Sequence, residues 1–235
     1  MAKWLVGTGL SSPIGQALLT TMGPEWRTLG LSRHPEIQSA KESWIRADLA
    51  NPRDPWDTIL PEILAERKIT RVAGVVHLAG VVFADRIEGT TQDEWQQTIA
   101  VDLRAAFRLL QVLKPWLNVS SSVVLVSSVD AFMQARDGPA VAYGAAKAGL
   151  VGLCRQLAAE WGPAGVRVNV VAPGALTSGM GPEGAVSARI VDRTALRRLG
   201  TPLEIARVIA FLLGPESSFV TGAVLRVDGG LNLDY

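Results

Sequence analysis

The sequence VVLVSS at residues 123–128 and the sequence YGAAK at residues 143–147 decide the fold of this chain. The first is an apolar run of the kind that forms a buried parallel strand. The second opens an apolar segment with helical spacing that continues to Trp161. A loop that contains glycine and proline separates the two. We therefore predict a strand, a loop and a helix in succession, with polar side chains at both ends of the loop.

Three of these polar side chains are predicted to converge. Tyr143 and Lys147 are four residues apart, so they lie on the same face of the predicted helix, one turn apart. Ser128, at the carboxyl end of the strand, can face both, whereas strand alternation sends Ser127 to the other side. An ammonium group about 4–6 Å from a phenol lowers the phenol pKa by roughly 1–3 units. The spacing predicts Tyr143 as an acid and base near neutral pH; the alternative is an exposed tyrosine and a solvated lysine.

The composition favours one compact domain over residues 1–235. Hydrophobic residues make up 48% of the chain and charged residues 19%, and the formal net charge is +1. The sequence has no basic tract and no apolar run that reaches the roughly 18 residues needed to span a bilayer, so we expect neither nucleic acid nor a membrane as a partner. Because a predicted strand begins within three residues of the start, we expect a cytoplasmic protein.

Neither a disulfide nor a metal site is expected. Cys154 is the only cysteine, so an internal disulfide is excluded, and its place on the apolar side of a predicted helix favours core packing. The two histidines lack a companion set of metal ligands.

Strand-like and helix-like segments alternate along the chain. We predict strands at Lys3–Val6, Trp26–Leu31, Ser43–Ala47, Val72–Leu78, Val123–Ser128, Val166–Ala172 and within Thr221–Gly230. We predict helices at Gln16–Met22, Trp56–Lys68, Thr91–Leu113 and Tyr143–Trp161, and one that begins near Thr201. This alternation predicts an α/β fold, a Rossmann-type doubly wound parallel sheet of about seven strands in a single domain with right-handed crossovers.

The sequence GTGLSSPIG at residues 7–15 joins the first strand to the first helix. Glycines let the backbone approach a pyrophosphate closely, and a helix N-terminus offers free N–H groups and a positive dipole end. The turn therefore predicts a dinucleotide phosphate site, with an ordinary strand-to-helix turn as the alternative.

The second strand is followed by Ser32 and Arg33, where a fold of this type chooses between cofactors. An NAD site requires a carboxylate there, which Ser32 does not supply. The guanidinium of Arg33 suits a 2′-phosphate, so NADP(H) is favoured over NAD(H). The alternative is a solvated arginine.

The order and spacing of these motifs resemble the short-chain dehydrogenase/reductase family. The turn at residues 7–15 is similar to that family's T-G-x-x-x-G-x-G turn, with Pro13 in place of the middle glycine, and residues 143–147 match its Y-x-x-x-K motif. HLAG at residues 77–80 resembles the N-N-A-G stretch, and DGG at residues 228–230 resembles the terminal D-G-G. The resemblance covers essentially the whole chain.

The resemblance implies hydride transfer between the nicotinamide of NADPH and a carbonyl or secondary alcohol of a small molecule, with a ketoreductase as the expected activity. It implies that Tyr143 is the acid and base, that Ser128 hydrogen-bonds the reacting oxygen and that Lys147 holds the nicotinamide ribose.

Asp102 stands where the family has an asparagine whose backbone carbonyl holds a water. Its side chain can face the site or the solvent; a charge facing the site would oppose formation of a phenolate.

Contacts with the cofactor are also implied by the resemblance. Besides Tyr143 and Lys147, the residues are Gly9, Ser11, Ser12, Ile14, Gly15, Arg33, Asp48, Leu49, Ala79, Gly80, Pro173, Gly174, Leu176 and Ser178. Asp48 can instead cap the next helix. His77 is expected to be a structural hydrogen-bonding group.

The resemblance further implies a substrate lid near residues 178–194. It also implies a homodimer or homotetramer that packs through the two long helices, for which simple packing of these helices on the sheet is the alternative.

Two other functions stay open at this point. One is a nucleotide-sensing regulatory protein on the same fold, suggested by Pro13 and Asp102, although the intact Ser128, Tyr143 and Lys147 argue against it. The other is an epimerase or dehydratase that uses the cofactor only transiently, suggested by the HLAG stretch. Relatives of that kind usually carry a longer C-terminal substrate domain than these 235 residues allow.

Overall fold

Parallel strands form the centre of the molecule in the computed structural model, which describes residues 2–34, 42–133, 138–180 and 184–231. The strands are β1 (Lys3–Thr8), β2 (Trp26–Ser32), β3 (Glu42–Arg46), β4 (Gly74–His77), β5 (Ser122–Val126), β6 (Arg167–Pro173) and β7 (Val224–Val227). They make one seven-stranded sheet in the order β3-β2-β1-β4-β5-β6-β7. The order reverses between β1 and β4, which is the point where such sheets bind ligands.

Strand β5 explains why both faces of the sheet are covered. Val123 and Leu125 belong to the hydrophobic cluster on one face, whereas Val124 and Val126 belong to the cluster on the other. All four side chains are buried, because alternate residues of a strand point to opposite faces and each face carries helices. The predicted doubly wound parallel sheet is confirmed.

The helices divide between the two faces. The described residues form α1 (Pro13–Thr21), α2 (Trp56–Glu66), α3 (Gln92–Thr98), α4 (Ala105–Leu113), α5 (Val141–Trp161), α6 (Gly184–Asp192) and α7 (Pro202–Leu213). Helices α1 and α7 pack together on one face, and α2, α4 and α5 cover the other. Cys154 of α5 is buried in the core, as expected. Within the described ranges, no helix has both the length and the apolar character needed to cross a bilayer.

Local capping moves the start of α1 relative to the prediction. The helix begins at Pro13 rather than at Gln16, because the Ser12 side chain accepts a hydrogen bond from the Gly15 N–H and so caps the first turn. Pro13 then occupies a position where its missing N–H would have no partner.

The predicted helix over Thr91–Leu113 is confirmed from Gln92 to Leu113, but its middle is not α-helical. A π-helical turn at Ile99–Arg104 joins α3 to α4. A π turn carries an extra residue, so it rotates the side chains that precede it relative to those that follow. The predicted apolar stripe is therefore buried at Leu110 in α4 but only half-buried at Trp95 in α3, and Asp102 in the π turn points into the protein.

Candidate active site

A cavity of about 750 Å³ opens at the carboxyl ends of the central strands. Most of the residues predicted from the sequence line it. They are Gly9, Ser11, Ser12, Ile14, Arg33, Asp48, Leu49, Ala79, Gly80, Ser128, Tyr143, Lys147, Pro173, Gly174, Leu176 and Ser178. Two predicted residues, Gly15 and Asp102, are buried behind the cavity wall.

Gly9 and Gly15 shape the turn after β1 for different reasons. Gly9 has a φ of +68°, and a Cβ there would lie 2.5 Å from the backbone nitrogen of Ala79. The residue must therefore be glycine to bring the turn against the end of β4. A Cβ on Gly15 would lie 2.4 Å from the Cα of Leu10. Gly15 is therefore buried where α1 packs on its own turn, and its contact with the cofactor stays a prediction.

The residues after β2 and β3 lie at the far end of the cavity. Arg33 is exposed there, with no carboxylate at Ser32 beside it. The Asp48 carboxylate accepts a hydrogen bond of 3.1 Å from the Ala50 N–H, which closes a local turn. Helix α2 begins later, at Trp56, so the alternative of Asp48 as a helix cap is excluded.

Ser128, Tyr143 and Lys147 line the same cavity, and all three are largely buried. The Lys147 Nζ lies 5.3 Å from the centroid of the Tyr143 ring. The hydroxyl of Ser127 instead donates to the Lys147 backbone carbonyl over 2.8 Å. The side chains predicted to converge are therefore brought together, and Ser127 is occupied by a structural bond.

Asp102 faces the site rather than the solvent. Its Oδ1 lies 3.1 Å from the Lys147 Nζ, without the angles of a hydrogen bond, and its Oδ2 accepts the Val81 N–H over 2.9 Å. Lys147 also donates to the Val126 carbonyl over 3.0 Å. Burial raises the pKa of the Asp102 carboxyl, although Lys147 and the Val81 N–H act against that rise. A buried carboxylate thus holds the ammonium in place.

His77 ties the end of β4 to the π turn. Its Nε2 lies 3.2 Å from the Asp102 carbonyl oxygen and its Nδ1 lies 2.8 Å from the Thr8 hydroxyl. A carbonyl only accepts, so Nε2 carries the proton and the Thr8 hydroxyl donates to Nδ1. Burial, and next the charge of Lys147, lower the pKa of His77 to about 3. The geometry agrees with the expected structural role, and the Asp102 carbonyl accepts from a side chain of the protein.

The pKa of Tyr143 moves opposite to the prediction. Burial raises the pKa of the phenol, and the charges of Asp102 and Asp130 add to the rise. Lys147 lowers it, as expected, but with a smaller effect than burial. The phenol therefore holds its proton at neutral pH, which suits an acid better than a base.

Further residues that line the cavity are mainly apolar. They include Val81, Met133, Val186 and Ile190, and the acidic Asp130 lines the cavity as well. Val186 and Ile190 fall within the predicted lid near residues 178–194, whereas the sequence motifs did not single out Val81, Met133 or Asp130. The spacing of Val186 and Ile190, four residues apart within α6, was a usable signal for one wall of the cavity. Over the described part of the chain, no group of histidine, cysteine and acidic side chains is arranged to hold a metal ion.

Comparison with known proteins supports the same family. A family model described as enoyl-(acyl carrier protein) reductase matches residues 34–232. Protein FixR of Bradyrhizobium diazoefficiens is 34% identical over 98% of this chain and 87% of that protein. The 3-oxoacyl-(acyl-carrier-protein) reductase FabG of Thermotoga maritima is 31% identical over 95% of each chain. The solved structure of a short-chain dehydrogenase from Burkholderia cenocepacia in complex with NADP has a TM-score of 0.86 and 26% identity over 98% of both chains.

The sequence matches, the parallel sheet and the cavity all indicate the same family. The family model spans most of the sequence, and relatives above 30% identity are matched over nearly their full length. The motifs predicted this architecture, a parallel sheet with a cavity at the switch point, where the strand order reverses between β1 and β4. The chain therefore belongs to the short-chain dehydrogenase/reductase family of oxidoreductases.

Proposed function

We propose that this protein is an NADP(H)-dependent ketoreductase that converts a small-molecule carbonyl to a secondary alcohol. The observation that carries the proposal is the meeting of Ser128, Tyr143 and Lys147 in one cavity at the switch point of the sheet. An acid, a hydrogen-bonding hydroxyl and a fixed cation in one place suit proton transfer to a carbonyl oxygen.

The cavity fits a dinucleotide cofactor. The close approach at Gly9 leaves a cradle that a side chain would fill, and the N-terminal end of α1 borders it. Arg33 would hold the 2′-phosphate, with Asp48 near the adenosine and Ser178 near the pyrophosphate. The NADP complex of the Burkholderia cenocepacia relative supports this choice of cofactor. When bound, NADPH supplies a hydride to the carbonyl carbon.

Tyr143 would supply the proton. Its phenol is protonated at neutral pH because burial raises its pKa, so it can donate to the carbonyl oxygen as the alcohol forms. Ser128 would hydrogen-bond the same oxygen. Lys147 is held by Asp102 and by the Val126 carbonyl, which keeps its charge beside the phenol. The positive charge of Lys147 lowers the free energy of the Tyr143 phenolate that remains after the proton transfer.

The substrate would bind against the apolar part of the cavity lining. Val186 and Ile190 of α6 line the cavity, which supports a substrate-contacting lid near residues 178–194. The name of the Thermotoga maritima relative describes reduction of a 3-oxo group, which supports a ketone as the group reduced here.

A homodimer or homotetramer remains part of the proposal. Phe107 of α4 is about half exposed, which supports packing of that helix against a second copy. Light scattering after size-exclusion chromatography tests this, and a monomer at micromolar concentration would contradict it.

The proposed activity is tested by NADPH oxidation with a panel of small ketones. We expect one NADPH to be consumed for each alcohol formed. Tight NADPH binding with no turnover on any ketone would instead favour the regulatory alternative. Conversion of a sugar nucleotide or a similar substrate without net NADPH consumption would favour the epimerase alternative.

A further inference from the structure

Asp130 forms a closed hydrogen-bonded ring with Ser128. It lies two residues further along, in a short 3-10 turn at Val129–Ala131 that lines the cavity. The Ser128 Oγ accepts the Asp130 N–H over 3.2 Å and donates its proton to the Asp130 Oδ2 over 3.1 Å. A serine hydroxyl has one proton, so this ring occupies the only donor that Ser128 possesses.

This ring conflicts with the role that the proposed function gives to Ser128. A carbonyl oxygen only accepts hydrogen bonds, so Ser128 can bind it only by withdrawing its proton from Asp130. Among the described residues, Ser128 is the one side chain that donates to the Asp130 carboxylate. Withdrawal therefore removes the one side-chain donor of a half-buried carboxylate, which favours a ligand that brings a donor of its own.

The backbone of Asp130 packs closely on α5. A Cβ on Gly144 would lie 3.1 Å from the Asp130 backbone oxygen, so the turn rests directly on the helix beside Tyr143. The backbone of the turn therefore holds Asp130 next to Ser128 at the edge of the cavity. Burial raises the pKa of Asp130, which agrees with a carboxylate that needs a donor.

We infer that the substrate itself supplies the missing donor, and that Asp130 selects carbonyl compounds with a hydroxyl or ammonium group close to the reacting carbon. This inference rests on the proposed function. The Ser128 Oγ and Asp130 Oδ2 are 3.1 Å apart, so two substrate atoms that bind them must also be close together. A donor on the first or second carbon from the carbonyl meets this requirement. The same carboxylate disfavours substrates with an anionic group at that place.

Three matched ketones test the inference with NADPH as the reductant. In 1-hydroxy-2-butanone the donor is present, in 1-methoxy-2-butanone the oxygen remains without its proton, and in 3-pentanone a methyl group replaces the hydroxyl group. We expect kcat/KM for the hydroxyketone to exceed that for the other two by at least about tenfold, since a hydrogen bond to a charged group is lost in each.

Two variants locate the preference at this residue. Asp130→Leu should reduce 3-pentanone but lose the preference for the hydroxyketone, because it removes the acceptor. Asp130→Asn should keep part of the preference, because its amide oxygen still accepts from a hydroxyl group. Binding of NADPH, followed by fluorescence, shows whether each variant is folded. If Asp130→Leu does not fold, the substrate preference of Asp130→Asn compared with the wild type still tests the inference.

The outcomes separate this inference from the proposed function. Wild-type protein that reduces the ether as well as the hydroxyketone overturns the role of Asp130, as does a preference that survives in Asp130→Leu or is undiminished in Asp130→Asn. Wild-type protein that oxidises NADPH with none of these ketones or of the wider panel contradicts the ketoreductase itself.

Discussion

The ammonium of Lys147 lies 3.1 Å from the Oδ1 atom of Asp102, and both side chains are buried. The resemblance to the family gave this position to an asparagine, so a negative charge replaces a neutral amide beside the lysine. The charge stabilises the ammonium and raises the pKa of the Tyr143 phenol. The Asp102–Lys147 pair therefore links the π turn to the proton chemistry of the cavity.

Asp102→Asn should stay active and move its pH dependence downward. Removing the carboxylate charge removes one cause of the raised Tyr143 pKa, so the phenol titrates at a lower pH. A tenfold change in the acidity of the phenol corresponds to about 1.36 kcal/mol. The pH profile of kcat/KM for alcohol oxidation, which needs the phenolate, measures this change. A folded but inactive variant would assign the carboxylate a chemical role, and an unmoved profile would contradict the electrostatic coupling.

Gly80→Ala should disrupt the same ion pair. A Cβ at Gly80 would lie 2.8 Å from the Asp102 Oδ1 and 3.2 Å from the Lys147 Nζ. We expect a loss of about 1–3 kcal/mol in the free energy of unfolding, because the site is overpacked, together with reduced turnover.

The matched control for this substitution is Gly152→Ala in α5, where a Cβ would meet no atom within 4 Å. That variant should gain about 0.5–1 kcal/mol, because alanine is the better helix former. Both quantities are measured by urea unfolding. Equal stability and turnover of the two variants would contradict the crowding around the ion pair.

His77 should make the protein less stable in mild acid. Its pKa is about 3 in the folded protein, compared with 6.5 as the ordinary value. Below pH 6.5, His77 binds a proton in the unfolded chain but not in the folded chain. The contribution of His77 to the free energy of unfolding is therefore fully present above that pH and is lost as the pH falls toward 3. The loss from this residue is about 4–5 kcal/mol over that window, because each tenfold change in proton affinity corresponds to about 1.36 kcal/mol.

His77→Asn removes this titration. Urea unfolding at several pH values should give the variant a smaller fall in stability between pH 6.5 and 3 than the wild type. Parallel curves for the two proteins would show that His77 is protonated in the folded state.

The sequence allowed prediction of the features that depend on spacing. Strand and helix periods predicted the parallel sheet, and the four-residue step from Tyr143 to Lys147 predicted their common cavity. The π turn at Ile99–Arg104 was missed, because an apolar stripe does not reveal where one extra residue enters a helix. The direction of the Tyr143 pKa was missed because it depends on burial, which spacing does not determine. Asp130 was overlooked because its place beside Ser128 depends on the local turn.

Arg33→Ala should reduce the preference for NADPH over NADH. We expect a loss of about 1–3 kcal/mol in that preference, because a charge-assisted contact with the 2′-phosphate disappears. Arg27→Ala is the control, since Arg27 lies near the opposite end of the same strand. Titration with both cofactors gives the ratio of dissociation constants. An unchanged ratio in Arg33→Ala would contradict the assignment of Arg33.

The turnover of Tyr143→Phe tests the central claim most directly. The substitution removes one hydroxyl group and keeps the buried ring against Lys147, so the fold and NADPH binding should be retained. If Tyr143 donates the proton, kcat/KM for ketone reduction should fall by at least about 10²–10⁴-fold while the dissociation constant for NADPH is nearly unchanged. A variant that binds NADPH and retains turnover within about threefold of wild type, far inside the effect of losing a general acid, would show that another group is the acid.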